Sequence, residues 1–560
     1  RGGYTSTGSQ KFNFNRGENL WVSEALGKVG EVNLNSSGAD PNLFRVSAAY
    51  AVYRAAGHPA CDSFPVALFR NGSFQRLAHL VEQVDEHFLE RRGFDPAGAL
   101  YKFVQRLGEQ NTPGNVVGGD YSGSPAFKCE SPIYGVEKKT RREETFADYS
   151  ALTAAIAPTN ALASRRACLF LSLNLPNFVN FLALRALTGE CDVNRKNFYA
   201  YRDSNGSGEW FLFPWDKDMT FGVGYSADPA SNRSHPWQAT DTFKHDPAAT
   251  RQWCVLWQNG YDVPEVRAMV GRRLRTLMDG LLGAPGLPVP GATPLEQRVN
   301  EVIAQLAAPP PGYAPGSSYT NRATFNAWLV QHRTALFTTF GPASTNGLIP
   351  AAAAGSPAVA LASVAPAPDV PAAGFAPQDH EYLALTNASA EEVDLSGWTL
   401  WRSGAAEPLF TFASGSVLPG VGRAPLHCLH VARSLPGFRG RPGAPDEVEF
   451  AVGGFTGRLA SASAATLELR AGPSSASPLV SALAVPAAPS RAQQSLRLTE
   501  IMFAPAEPSA AELALAPGTA AKDYEFLELE NSGTNDLRLA GASFTRSEEH
   551  TSELQSRSDL

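Results

Sequence analysis

Asp192 and Asn197 stand five residues apart, and a short way on Asp216 and Asp218 sit inside Pro214-Trp-Asp-Lys-Asp218. Carboxylates gathered with an amide oxygen make a hard oxygen cage, which suits Mg²⁺ or Mn²⁺. Such a set fits phosphoryl transfer, where the protein's work is positioning and charge neutralisation. In that chemistry Asp192 orients or deprotonates an acceptor hydroxyl, and the other three hold the metal on the phosphates. Asp and Asn also favour turns, so four polar caps are the plain alternative. Two of the four are flanked by aromatic residues, which argues against it.

The elements around these residues have to bring them together. Phe198-Tyr-Ala-Tyr201 and Trp210-Phe-Leu-Phe213 read as strands, and Asp203-Ser-Asn-Gly-Ser-Gly208 supplies the turn. A hairpin of that length returns the chain to its start, so Asp192, Asn197, Asp216 and Asp218 are expected to share one site. A helix over Leu175–Leu187, with Asn174 as cap and Pro176 in its first turn, delivers the chain to them. Upstream, Lys11 opens a strand. Residues 42–57 have helical spacing, a C-terminal Gly57 and no acidic residue. Phe64–Arg70 and Leu77–Val84 form a hairpin about Asn71-Gly72, and a helix starts at Asp85. Further helices are expected near residues 146–157, 263–282, 295–306 and 320–340. Residues 108–135 read as a surface insertion, and the charge run 137–144 as a solvated segment.

Protein kinases place a catalytic Asp five residues before a metal-binding Asn, then a hairpin, then a second metal-binding Asp. The longer pattern here, an Asp followed by Asn197-Phe-Tyr-Ala-Tyr201 and then Pro214-Trp-Asp-Lys-Asp-Met-Thr-Phe-Gly222, more closely resembles the CotH family of secreted kinase-like proteins. The resemblance covers residues 1–345. It implies an atypical α+β protein-kinase-like domain using ATP and Mg²⁺ or Mn²⁺. Asp192 is then catalytic, and Asn197, Asp216 and Asp218 are the metal set, with the first ligand of the two acids left open. Lys11 matches the family's strand Lys near the phosphates, and Lys102 in Leu100-Tyr-Lys102 is a second phosphate contact. Glu82, in Glu82-Gln-Val84 between the lobes, borders the adenine. An exposed strand Lys and a solvated strand end are the bland readings of Lys11 and Glu82. The chain departs from ordinary kinases in lacking His-Arg before Asp192, an Asp-Phe-Gly, a G-x-G-x-x-G loop and an acid on the 42–57 helix. It also has Arg76 and Ala78 where the family has Gly and Tyr.

A chain of 560 residues with 43% hydrophobic and 18% charged residues is globular and long enough for several domains. A net charge of −7 and a pI near 5.9 speak against nucleic acid as the main partner. Six scattered cysteines with no C-x-x-C argue against zinc, and leave one or two disulfides or core thiols. No apolar run is long enough to span a membrane. The Ala-, Pro- and Gly-rich composition with four Met suggests a high-GC bacterial source. The opening without Met reads as a truncated N-terminus, and residues 546–560 as a non-native, adapter-derived tail.

Residues 346–376 read as an Ala/Pro linker. Beyond it, Glu381-Tyr-Leu-Ala-Leu-Thr-Asn387 with Val393–Gly397 recurs as Glu525-Phe-Leu-Glu-Leu-Glu-Asn531 with Leu537–Gly541, at one constant offset of 144. Both copies, 377–487 and a truncated 495–545, resemble lamin-tail-like domains, which are all-β immunoglobulin-like sandwiches. The expected whole is a secreted or surface kinase acting on a protein hydroxyl. The alternative is a non-catalytic surface adhesion or scaffold protein with a pseudokinase-like domain, partnered by a surface or matrix component. A metal-dependent hydrolase using the same acids is a third reading.

Overall fold

In the computed structural model the N-terminal lobe consists of β1 (Gln10–Asn13), the hairpin β2 (Leu20–Ser23) and β3 (Gly27–Val29), β4 (Glu31–Asn35), helix α1 (Arg45–Ala55), β5 (Ser63–Arg70) and β6 (Ser73–Val81). Residues 8–103, 136–190, 197–224, 255–308 and 321–539 are described, apart from 16, 37, 38, 41, 346, 369, 370, 446, 447, 460–462, 490 and 538. Asp192, the insertion expected at 108–135 and the tail 546–560 lie outside the described residues. The lobe's main sheet has the order β1-β4-β6-β5. Asn71 and Gly72 take φ of 51° and 78°, as the two central residues of a tight type I′ turn must. Leu26, Val32, Leu34 and Leu80 bury one face of this lobe.

Asp85 caps α2 (Glu86–Arg91), its carboxylate accepting the Phe88 amide at 3.0 Å. Then follow β7 (Ala99–Phe103), β8 (Val136–Lys138), α3 (Ala147–Ala155), α4 (Leu162–Ser172), α5 (Leu175–Thr188), β9 (Phe198–Arg202) and β10 (Trp210–Pro214). Asn174 caps α5, accepting the Asn177 amide at 3.1 Å, and all fourteen residues of the helix are buried. A second sheet, β10-β9-β7-β8, packs on it. Helices α6 (Val255–Asp262), α7 (Pro264–Leu277), α8 (Pro294–Ala307) and α9 (Ala323–Thr334) complete this mixed helix-and-sheet part. Cys61 and Cys168 are buried free thiols and Cys428 a half-buried one, so each of these three follows the core-thiol alternative.

The stretch expected as a linker departs from that expectation, because it contains β11 (Val359–Ala365). Its alanines hide an alternation in which Val359 and Leu361 turn inward while their neighbours are exposed. The C-terminal region continues with β12 (Tyr382–Asn387), β13 (Val393–Asp394), β14 (Thr399–Arg402), β15 (Phe410–Thr411), β16 (Val417–Leu418), β17 (Cys428–Ala432), α10 (Leu435–Arg439), β18 (Phe450–Gly453), β19 (Ala465–Arg470) and β20 (Leu479–Val485). It is rich in antiparallel strands, arranged as sheets β11-β12-β17-β18 and β15-β14-β19-β20, with β17 and β18 parallel. Leu383 and Leu385 from one sheet and Leu400, Leu467 and Leu469 from the other share a single core.

After α11 (Arg491–Ser495), the hairpin of β21 (Leu496–Met502) and β22 (Phe526–Asn531), with α12 (Ala510–Leu515) between its strands, repeats the β11–β12 pair in detail. In the first copy Asn387 Nδ2 donates to the Glu391 carbonyl at 2.8 Å and its Oδ1 accepts the Ser389 amide at 2.9 Å. In the second, Asn531 does the same to Asn535 and Gly533, at 2.8 and 3.0 Å. Both first strands carry a bulge after their third residue, at Leu361 and at Leu498. The surroundings differ. Leu383 and Leu385 are fully buried, whereas their counterparts Leu527 and Leu529 are 48% and 39% exposed. Replacing buried Asn387 with Ala should cost about 1–3 kcal/mol, since it orphans backbone groups. Asn531→Ala should cost much less, because water reaches the same groups. Equilibrium urea unfolding of the two variants measures the difference.

Candidate functional site

Asn197 and Asp216 meet at the open end of the β9–β10 hairpin. The strand register pairs Pro214 with Phe198, and the next rung is the Trp215 amide donating to the Asn197 carbonyl at 3.0 Å. The Asn197 amide in turn donates to Phe103 at the end of β7, at 3.3 Å. At the far end, the Asp203 carboxylate accepts the Ser207 amide at 2.6 Å and closes the turn. Asn197 and Asp216 both adopt left-handed backbone angles, φ 67° and 54°. Asn and Asp tolerate that region better than most residues, and such backbone gathers where geometry is imposed by surroundings.

Between the two acids the chain turns Lys217 inward. Its side chain is fully buried and its ammonium is bonded to Glu190 Oε1, with the Asn197 carbonyl 3.4 Å away. Glu190 is also buried, and its second oxygen accepts the Tyr53 hydroxyl of α1 at 3.1 Å. Burial drives the Lys217 pKa well below the usual lysine range, with Asp218 opposing that shift. With Lys217 facing in, Asp216 and Asp218 stay half-buried on the open side. Tyr50, also on α1, accepts the Asp216 amide on its hydroxyl at 3.1 Å. Thr220 Oγ1 bonds the Lys217 carbonyl at 3.1 Å. Gly222, at φ 87°, runs so close to the buried Trp328 that a Cβ would lie 2.6 Å from that of the tryptophan.

Lys102 reaches the same end of the hairpin from β7. Its ammonium lies 4.7 Å from the Trp215 ring centroid and 5.6 Å from that of Tyr199. Burial pushes its pKa down to about 8; Lys139 and Lys11 push the same way, while Glu137 and Asp216 oppose them. Tyr199 stacks edge-on against Trp215 and its hydroxyl meets Gln83 Nε2 at 3.4 Å. A continuous line of side chains therefore runs from Gln83 through Tyr199 and Trp215 to Lys102.

Gln83 and Glu82 line a small, partly open pocket at the inter-lobe link, with Leu26, Val29, Val32 and Leu80 as its apolar wall. The Glu82 carboxylate is engaged by Arg91 Nε at 3.0 Å, Arg92 Nη2 at 3.1 Å and the Asp62 amide at 2.8 Å. It anchors the link between the lobes. Lys11 pairs with Glu31 across the strands at 2.7 Å, so its partner is a strand carboxylate and not a helix one. Glu31 also lines the pocket.

Of the seven residues singled out in the sequence, Asn197, Asp216, Asp218 and Lys102 thus gather at one end of the hairpin. Glu82 lines the pocket next to it, Lys11 pairs with Glu31 of that lining, and Asp192 lies outside the described residues. Sequence reasoning passed over Lys217, Glu190, Tyr50 and Tyr53. The signal for Lys217 was its place between two acids in an otherwise apolar stretch. Two carboxylates and an amide oxygen fit a hard divalent cation, and Lys102 adds a cation for phosphate. Among the described residues no group of three His, Cys, Asp or Glu side chains gathers as a metal cluster.

Replacing Lys217 with Met should destabilise the chain by about 3–5 kcal/mol, because Glu190 would remain buried without its counter-charge. Lys217→Met with Glu190→Gln should recover much of that loss. Chemical denaturation of both variants is the measurement.

A family model described as CotH kinase protein matches residues 1–287, just over half of the chain. No curated protein matches the chain.

Proposed function

This chain belongs to the CotH kinase protein family, and we propose that it is a secreted or surface kinase that transfers the ATP γ-phosphate to a hydroxyl of a protein. The observation that carries the proposal is the convergence of Asn197, Asp216 and Lys102 at one end of a hairpin, beside the pocket walled by the N-terminal sheet. The base docks at the open mouth of that pocket, on the side of Leu26, Val29, Val32 and Leu80. Lys102, drawn toward Trp215 and Tyr199, neutralises the phosphates, and Lys11 stands by with Glu31 as its counter-charge. Asn197, Asp216 and Asp218 would hold Mg²⁺ or Mn²⁺, which when bound would supply charge neutralisation at the phosphates. Asp192 orients the acceptor hydroxyl and takes its proton. In this scheme Lys217 and Tyr50 hold the Asp216 loop still and touch no substrate.

Residues 377–487 together with β11, and the second copy from 495, are in this proposal lamin-tail-like domains of immunoglobulin type. Their support is the pair of four-stranded sheets around one core and the repeated Asn387 and Asn531 bonding. They attach the kinase to a surface or matrix component. A second reading, a non-catalytic scaffold with a pseudokinase-like domain, draws on α1, which carries no acid for Lys11.

Transfer of label from γ-labelled ATP with Mg²⁺ or Mn²⁺ tests the proposal. Labelling of a protein acceptor should drop by about a hundredfold or more in Asp192→Ala and in Asp216→Ala. Parent and variants labelling equally, or no metal-dependent ATP binding by calorimetry, would move the assignment to the scaffold.

The lowered Lys102 pKa gives a pH test. Its ammonium is present below about pH 8 and lost above it, so ATP affinity should fall as pH rises from 7 to 9, by at most about tenfold per unit. Lys102→Met should bind weakly throughout and flatten that fall. Calorimetric titration across the range checks both.

A further inference from the structure

Helix α7 lies between the kinase-like part and the first β domain, and one of its arginines bonds to both. The Arg273 guanidinium is almost wholly buried. Its Nε donates to Asn180 Oδ1 of α5 at 2.9 Å, its Nη2 to the Ala56 carbonyl at 3.1 Å, and its Nη1 to Asp394 Oδ2 of β13 at 3.1 Å. Ala56 is the residue that ends α1, and Asn180 Nδ2 donates to the same carbonyl at 3.2 Å. One cation therefore joins the end of α1, the middle of α5 and a strand of the β domain.

The contact is closely built. The Asp394 side chain is 7% exposed, and its other oxygen accepts the Ser396 amide at 3.0 Å, so it is held in its own turn. A buried ion pair loses strongly when one partner is removed, because the other is left without its counter-charge. Beside it the β domain sets Gly415, at φ 92°, against α5, where a Cβ would lie 2.1 Å from the Pro176 carbonyl oxygen. Phe450 of β18 packs edge-on against Phe170 of α4. A loosely tethered tail has no need of such a fit.

Helix α1 carries the contact onward. Tyr50 and Ala56 are six residues apart, under two helical turns or about 9 Å of rise. Tyr50 holds the Asp216 amide and Tyr53 holds Glu190, the partner of Lys217. We propose that the first β domain is a working part of the site: Asp394, through Arg273, fixes the end of α1, and α1 fixes the Asp216 loop. Asp394 and Arg273 are positioning residues. That the loop holds a metal rests on the kinase assignment; the mechanical coupling does not.

Amide hydrogen exchange on the full chain, read by mass spectrometry, tests the coupling without nucleotide and so separately from any kinase activity. Asp394→Ala should speed exchange about tenfold in segments 46–57 and 214–222. Asp394→Asn, which keeps an oxygen acceptor for Arg273, should restore part of the protection. Glu391→Ala removes the 69%-exposed partner of the neighbouring Arg272 and should leave both segments unchanged. Faster exchange confined to 391–416, the same change from Glu391→Ala, or a uniform rise that includes β19 and α9 would each overturn the proposal.

Discussion

A lysine ammonium with no access to water is tolerated only beside a counter-charge, and Lys217 meets that condition in one arrangement. Glu190 must come to it from the end of α5, and Tyr53 must come from α1 to satisfy the second carboxylate oxygen. Helix, helix and strand end are thereby tied at one point. The same constraint sets the chemistry of the surface. Because Lys217 turns in, the residues on either side of it turn out, and both are aspartates. The left-handed backbone of Asn197 and Asp216 is held by this setting, with the Tyr50 hydroxyl on one amide and the Phe103 carbonyl on the other.

In ordinary kinases a helix carboxylate pairs with the strand lysine, and the helix moves to make or break that pair. Here α1 lacks the carboxylate, and Lys11 finds Glu31 on the adjacent strand β4. Helix α1 is held by hydroxyl bonds at Tyr50 and Tyr53 and by Arg273 at its end. The acceptor of the Tyr53 hydroxyl and the guanidinium of Arg273 are both buried, so the hold on the helix is largely insensitive to salt, which screens exposed charges far more than buried ones.

Much of this was written locally in the chain. Asn71-Gly72 announced its turn, Asn174 and Asp85 announced their helices, and the aromatic runs on either side of residues 203–208 announced the hairpin that brings Asn197 to Asp216. Those features depend on neighbours within a few residues. What escaped depends on partners far away in sequence. Nothing near Lys217 names Glu190, and nothing near Arg273 names Asp394. Tyr50 and Tyr53 looked like ordinary members of an apolar helix face, since a hydroxyl's partner is decided by tertiary packing. The strand β11 was hidden by composition, because alanine serves a linker and a strand equally well. Nor did the residues beside Glu82 name Arg91 and Arg92, which claim its carboxylate.

The repeat has a consequence of another kind. From Asn387 to Glu391 and from Asn531 to Asn535 the two copies keep the same bonds at a spacing that never varies. A gene carrying two such stretches in one reading frame offers them to each other for unequal crossing-over. An exchange between matched codons removes or adds 144 residues and rejoins strand to strand in register. Adding a copy in this way leaves Lys217, Glu190 and the hairpin they organise untouched, whereas removing the first copy takes Asp394, the partner of Arg273, with it.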